Sequence, residues 1–261
     1  MKMMILAALA LAALGMTAQG AIHTEPVAYK QGDTEMKGYL AYDDAVAGKR
    51  PGVLVCAEWG GLNDYPKHRA EMLAKMGYVA FAADLYGGGK VAADAKQAGE
   101  WATALKSGDR VLLRARASAA LETLRALPQV DPQKLAAIGY CFGGTTVLEL
   151  ARAGAPLKGV VSFHGNLDTP TPDQDQIKAA ILVCTGADDP AVPPAAGQAF
   201  VDEMRKAKAD YQVISYGGAV HSFTNPASGN DPTKGVAYNE KADKRSWEAM
   251  RVFFGEVLGA K

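Results

Sequence analysis

Cysteine is scarce, with only Cys56, Cys141 and Cys184 in a chain of 261 residues. A small, odd number argues against the disulfide framework on which small exported proteins rely. Cysteine and histidine nowhere fall at zinc-ligand spacing, so no metal is expected, and no cofactor motif stands out. Charge of one sign is lacking too, because 28 lysines and arginines balance 28 aspartates and glutamates. No basic patch therefore argues for nucleic acid, and no charge run marks a tail. Beyond the N-terminus no apolar run approaches the roughly 20 residues that a membrane-spanning helix needs. Internal repeats are absent, and Gly and Pro punctuate the chain without forming a low-complexity block.

What the chain does have begins with a leader pattern. Lys2 supplies a basic start, Met3 to Leu14 is an unbroken apolar segment, and Ala18-Gln19-Gly20 offers the small residues that a signal peptidase reads. The apolar run is too short to span a bilayer, and no cysteine lies near the cleavage site for a lipid anchor. Residues 1–20 thus read as a signal peptide. A secreted, periplasmic protein starting near Ala21 is expected, with no stable membrane insertion after cleavage. The remaining stretch, 21–261, is the length of one large domain. With 49% hydrophobic and 21% charged residues, it can bury a sizeable core.

Periodicity supplies the architecture. Thr24 to Lys30 and Glu35 to Tyr42 read as a hairpin around Gln31-Gly32-Asp33. Pro51 to Ala57, Tyr78 to Ala83, Leu135 to Ile138, Gly159 to Phe163, Ala180 to Cys184 and Tyr211 to Tyr216 are short apolar strands. Helical spacing appears between them: from Asn63 or Asp64 to Gly77, over Asp109 to Leu127, over Thr145 to Arg152, from Pro193 or Pro194 to Lys208, and in a terminal helix bearing Trp247, Met250, Phe254 and Val257. Val91 to Lys106 reads as helical or mixed, and Pro170 to Gln176 as a loop. This alternation predicts an α/β fold, a mostly parallel central sheet of about eight strands with helices on both faces. Chemistry on such sheets gathers at the carboxyl ends of the strands. Glu58, Cys141, His164, Asp189 and His221 all follow strand ends.

One of these positions has the form of a nucleophile elbow. Gly139-Tyr140-Cys141-Phe142-Gly143-Gly144 is the small-x-nucleophile-x-small pattern with cysteine in the usual place of serine. The turn forces the nucleophile into strained backbone angles and leaves no room for side chains at the flanking positions. It also aims the sulfur at the positive end of the next helix, which favours thiolate. Cys56 and Cys184, within apolar strands, read as core. The chain order Cys141, Asp189, His221 is the α/β-hydrolase order of nucleophile, acid and base. In that arrangement His221 takes the thiol proton, Asp189 orients the imidazole, and Cys141 forms a thioester that water cleaves. Backbone N–H groups of Phe142 and Trp59 are the expected oxyanion donors. Asp188 is a rival acid, but the spacing to Val192-Pro193 favours Asp189. Tyr86, His164 and Phe223 are candidate pocket residues, with core packing or a structural hydrogen bond as the competing account.

The combined motifs resemble the dienelactone hydrolase family of the α/β-hydrolase superfamily. They are Glu58-Trp59-Gly60, Asp84-Leu85-Tyr86, the elbow, Asp189-Pro190-Ala191-Val192-Pro193 and His221-Ser222-Phe223. The resemblance covers essentially all of 21–261 as one domain and implies the same triad. It also implies that Glu58 is a thiol-modulating carboxylate that holds the resting cysteine protonated, in keeping with the cost of placing like charges together. The chain departs from the family pattern at the two arginines that grip a substrate carboxylate, where Gly88 and Asn225 stand. Neither makes a charged fork. The expected activity is hydrolysis of a small carboxylic ester or lactone. The alternatives are an exported binding protein that turns nothing over and an acyltransferase.

Overall fold

The structure, a computed structural model, describes residues 20–171 and 176–259. The stretch read as a signal peptide lies outside these apart from Gly20, as do 172–175 of the proline-rich loop. Among the described residues eight strands form one sheet: β1 (Ile22–Gln31), β2 (Thr34–Asp43), β3 (Arg50–Cys56), β4 (Val79–Ala82), β5 (Val130–Tyr140), β6 (Gly159–Phe163), β7 (Ala180–Gly186) and β8 (Tyr211–Tyr216). Their spatial order is β1-β2-β4-β3-β5-β6-β7-β8. β1 and β2 are an antiparallel hairpin, and β2 meets β4 antiparallel. Every pairing from β4 to β8 is parallel.

Among the described residues six α-helices pack with the sheet: α1 (Asp64–Lys75), α2 (Ala95–Lys106), α3 (Val111–Ala126), α4 (Phe142–Arg152), α5 (Pro194–Ala207) and α6 (Glu240–Leu258). The period-two alternation of the strands sorts them into layers. Leu54 and Cys56 of β3 join one core with Leu113 of α3, Val147 of α4 and Phe200 of α5. Val53 and Val55 face the other, with Leu73 of α1 and Met250 and Phe254 of α6. Asn63, Asp94 and Asn239 cap α1, α2 and α6, each side chain accepting a first-turn N–H. None of the described helices is long and apolar enough to cross a membrane.

Among the boundaries that differ from the sequence reading, two belong to the elbow strand and the helix after it. β5 begins at Val130, five residues before the apolar run, because Val130 and Asp131 pair with Arg50 and Pro51 ahead of a register shift. α4 begins at Phe142, so Gly143 and Gly144 lie inside its first turn rather than before it. Close packing explains why glycines occupy helical positions there. A Cβ on Gly143 would stand 2.1 Å from the carbonyl oxygen of Cys56, and one on Gly139 would stand 2.0 Å from that of Gly143. The helix can then start directly at the strand end, without a spacer.

Candidate active site

Cys141 occupies the turn between β5 and α4, with φ 52° and ψ −115°. An L-residue in that region is strained and persists only where its surroundings enforce it. Here the restraint is visible: the Cys141 N–H is shared between the Phe163 carbonyl at 3.0 Å and Nδ1 of His164 at 3.1 Å. The Cys141 carbonyl accepts from Thr145 N as the first helical bond. The sulfur is half-buried and 3.0 Å from Nε2 of His221. On the other side of that ring, Nδ1 is 2.9 Å from Oδ2 of Asp189.

Asp189 follows β7 and is buried, its second oxygen accepting from Ala191 N at 2.8 Å. Asp188 is exposed and accepts from Gly218 N instead, bracing the loop after β8. His221 is pinned through its backbone, which bonds Gly235 and Ala237 on either side. The structure therefore brings Cys141, His221 and Asp189 into one hydrogen-bonded row and leaves Asp188 out of it. Burial alone would lower the pKa of His221, but its bonds to Asp189 and Cys141, with their charges, outweigh that and push it up to about 10. The other two thiols differ in kind: Cys56 and Cys184 are fully buried, and burial pushes each up to about 12.

The raised value has a consequence for stability. An unfolded histidine gives up its proton near 6.5, whereas His221 holds it in the fold to about 10. Its stabilisation is thus fully present below pH 6.5 and lost as pH rises through 10. In urea unfolding, wild type should exceed His221→Gln most on the acid side of this window, and the gap should close across it. A gap independent of pH would show that the ring is not held protonated.

Glu58 follows β3. Its carboxylate accepts from Ser222 Oγ at 2.5 Å and from Asn225 Nδ2 at 2.6 Å. Asn225, at an arginine position of the family pattern, thus engages the glutamate. Trp59 is 43% exposed, the most open aromatic at the site, and its carbonyl accepts from the Tyr86 hydroxyl at 2.8 Å. The Tyr86 ring stacks on Phe142 at 6.1 Å between centroids, tilted by 14°, so one side chain touches both segments expected to present oxyanion donors. As the first residue of α4, Phe142 has an N–H with no intrahelical acceptor. Tyr86 also lines a cleft of about 170 Å³ with Lys90, Trp101, Leu112 and Arg116.

His164 and Phe223 correct the pocket reading. Both are fully buried and packed edge-to-face at 5.2 Å, so neither presents a surface to a ligand. Sequence reasoning also missed Asp84 as an organiser. Its buried carboxylate accepts from Tyr86 N and Gly87 N with one oxygen, and from Lys37 N and Gly89 N with the other. An aspartate just ahead of a glycine run is the local signal for such a turn. Among the described residues no cluster suited to a metal ion occurs.

The model of the dienelactone hydrolase family matches residues 36–258. The chain belongs to the dienelactone hydrolase family. With that family it is a carboxylic-ester or lactone hydrolase of the α/β-hydrolase fold. The solved structure "m3DLH" is 46% identical with a TM-score of 0.88, covering 92% of this chain and 100% of its own. A dienelactone hydrolase-like promiscuous phosphotriesterase from metagenomic libraries is also 46% identical, with a TM-score of 0.87, covering 91% and 99%. A Synechocystis protein named as a candidate carboxymethylenebutenolidase is 26% identical over 253 residues, 91% of this chain and 98% of its own.

Proposed function

We propose that this hydrolase works through a cysteine nucleophile, with Cys141, His221 and Asp189 as its triad. The observation that carries the reading is the continuous contact from sulfur to imidazole to buried carboxylate, at 3.0 and 2.9 Å. The proton of the Cys141 thiol rests on His221 Nε2, in keeping with the raised pKa of that ring, and the sulfur attacks the ester carbonyl carbon as a thiolate. Asp189 accepts from Nδ1–H and stabilises the imidazolium that results. The tetrahedral oxyanion lies against the N–H groups of Phe142 and Trp59. Collapse expels the alcohol, which takes the proton from His221 and leaves a thioester on Cys141. Water, deprotonated by His221, then attacks the thioester, releases the acid and restores the thiol. The strained elbow supports this order, because it lifts the sulfur to the mouth of the site at the amino end of α4, where negative charge is favoured.

The substrate is a small ester or lactone without a carboxylate to be gripped. Gly88 is an exposed glycine, and the Asn225 amide is occupied by Glu58. A modulating role for Glu58 at the thiol requires its release from Ser222 and Asn225. The leader pattern at the N-terminus supports a periplasmic setting. The 46% identity to a promiscuous phosphotriesterase favours a second reading, in which an activated phosphotriester meets the same sulfur.

Mass spectrometry tests the nucleophile. During turnover of an aryl acetate, the peptide containing Cys141 should carry an acetyl group, formed with a burst of phenol. Prior alkylation with iodoacetamide should abolish both. Undiminished turnover after complete alkylation of Cys141 would end the proposal, and a burst would exclude the binding-only alternative.

A further inference from the structure

We propose that His164 is a positioning residue for hydrolysis, a neutral ring that ties the nucleophile elbow to the loop carrying His221 and so sets the sulfur-to-imidazole distance. The inference rests on the reading of Cys141 and His221 given above.

His164 directly follows β6 at φ 41°, a strained angle for a residue with a side chain, and is fully buried. Its own N–H is anchored to the Cys184 carbonyl at 2.8 Å. The protonation of the ring follows from its partners. The Cys141 backbone N–H can only donate, so Nδ1, 3.1 Å away, must present a lone pair. The ring proton is therefore on Nε2, which donates to Thr224 Oγ1 at 2.7 Å. Thr224 lies three residues beyond His221 on the same loop. One ring thus holds the backbone of the nucleophile with one nitrogen and the loop of the base with the other. It also packs edge-to-face on His221 itself, at 5.4 Å between centroids.

The far side of this link is braced. Tyr65 Oη is 2.6 Å from Thr224 Oγ1. Arg69 donates to Tyr65 Oη at 3.2 Å, to the Thr224 carbonyl at 2.7 Å and to Asp243 of α6 at 2.5 Å. The titratable and charged groups around His164 are therefore Cys141 at the elbow, His221 on the loop, Tyr140 of β5, Cys184 of β7, and Tyr65 and Arg69 of α1, with Asp243 behind Arg69. Burial and the cations His221 and Arg69 hold the imidazole well below its ordinary pKa. That matches the geometry, since a proton on Nδ1 would set two donors against each other at Cys141. A link of this kind matters because displacing a reacting group by about 1 Å can cost on the order of 100-fold in rate.

The test compares Thr224→Val, His164→Phe and His164→Asn with wild type on an aryl acetate, and follows the pH profile of Cys141 alkylation by iodoacetamide. Thr224→Val keeps the side-chain volume and removes the hydroxyl that accepts from His164 and meets Tyr65. His164→Phe keeps the ring and removes both bonds. Asn tolerates the positive φ and keeps an acceptor for Cys141. Thr224→Val and His164→Phe should each lower kcat roughly 10- to 100-fold with KM within about threefold. Both should move the alkylation profile to higher pH, and His164→Asn should lie between them and wild type. Wild-type kcat and an unshifted profile in Thr224→Val overturn the proposal, whether or not His164→Phe folds. So does a loss of kcat that tracks only the loss of folded protein while the profile stays in place. Cys141→Ala separates the two layers: if it retains activity, the nucleophile reading fails. If it is inactive while the Thr224 and His164 variants behave as wild type, only the positioning role fails.

Discussion

Under the proposed mechanism, replacing Cys141 with alanine should reduce kcat/KM on an aryl ester by on the order of 10⁴-fold or more, because removal of the proposed nucleophile collapses the whole covalent route rather than weakening one step. What survives is the binding and oxyanion stabilisation that the remaining site offers a water molecule. The other thiols cannot substitute. Cys56 and Cys184 are fully buried in opposite core layers, and burial pushes each up to about 12. The variant should fold, since alanine meets the same backbone strain at φ 52° as cysteine does and fills less space. Initial rates and a thermal melt on the same preparation decide the matter. Activity within tenfold of wild type, from protein with an unchanged melt, would mean that the sulfur is a bystander.

The parts of the site legible in the sequence were those that one local pattern specifies. The elbow announces itself through glycines at 139, 143 and 144, because a Cβ there meets backbone within 3 Å. Asp189 could be preferred to Asp188 from its neighbours alone, and only Asp189 reaches the imidazole. Strand ends were readable because continuous apolar runs of a parallel sheet stop where the loops begin. The rest depends on partners far away in the chain. Glu58 and Asn225 are separated by 167 positions, and Arg69 and Asp243 by 174. No periodicity links such pairs. His164 was ambiguous for the same reason, since its two partners lie 23 residues before it and 60 after it. The start of α4 was placed late because glycine reads as a helix breaker, and only tertiary crowding shows why it sits inside this one.

A second large effect lies beneath the elbow, at Glu149 of α4. Its carboxylate is fully buried and accepts from Arg114 at 2.7 Å, Arg110 at 3.2 Å and Arg152 at 3.3 Å. Arg152 also grips Glu203 of α5 through two bonds of 2.8 and 2.7 Å, and Arg110 reaches the Asp168 carboxylate. Three guanidiniums and three carboxylates thus balance, with Glu149 as the one member shared by three of the cations. Glu149→Ala leaves buried positive charge uncompensated, and should cost about 3–5 kcal/mol, the usual penalty for breaking a buried pair from one side. For a domain of this size that lowers the melting temperature by roughly 10 °C. Arg114→Met should cost less, because that side chain is 21% exposed and water can take over for it. Glu149→Gln should fall between the two, keeping the shape and one acceptor while losing the charge. Chemical denaturation of the three variants orders them. If Glu149→Ala lay within 1 kcal/mol of wild type, the cluster would be solvating itself by rearrangement, and α4 would owe its fixed position under Cys141 to apolar packing alone.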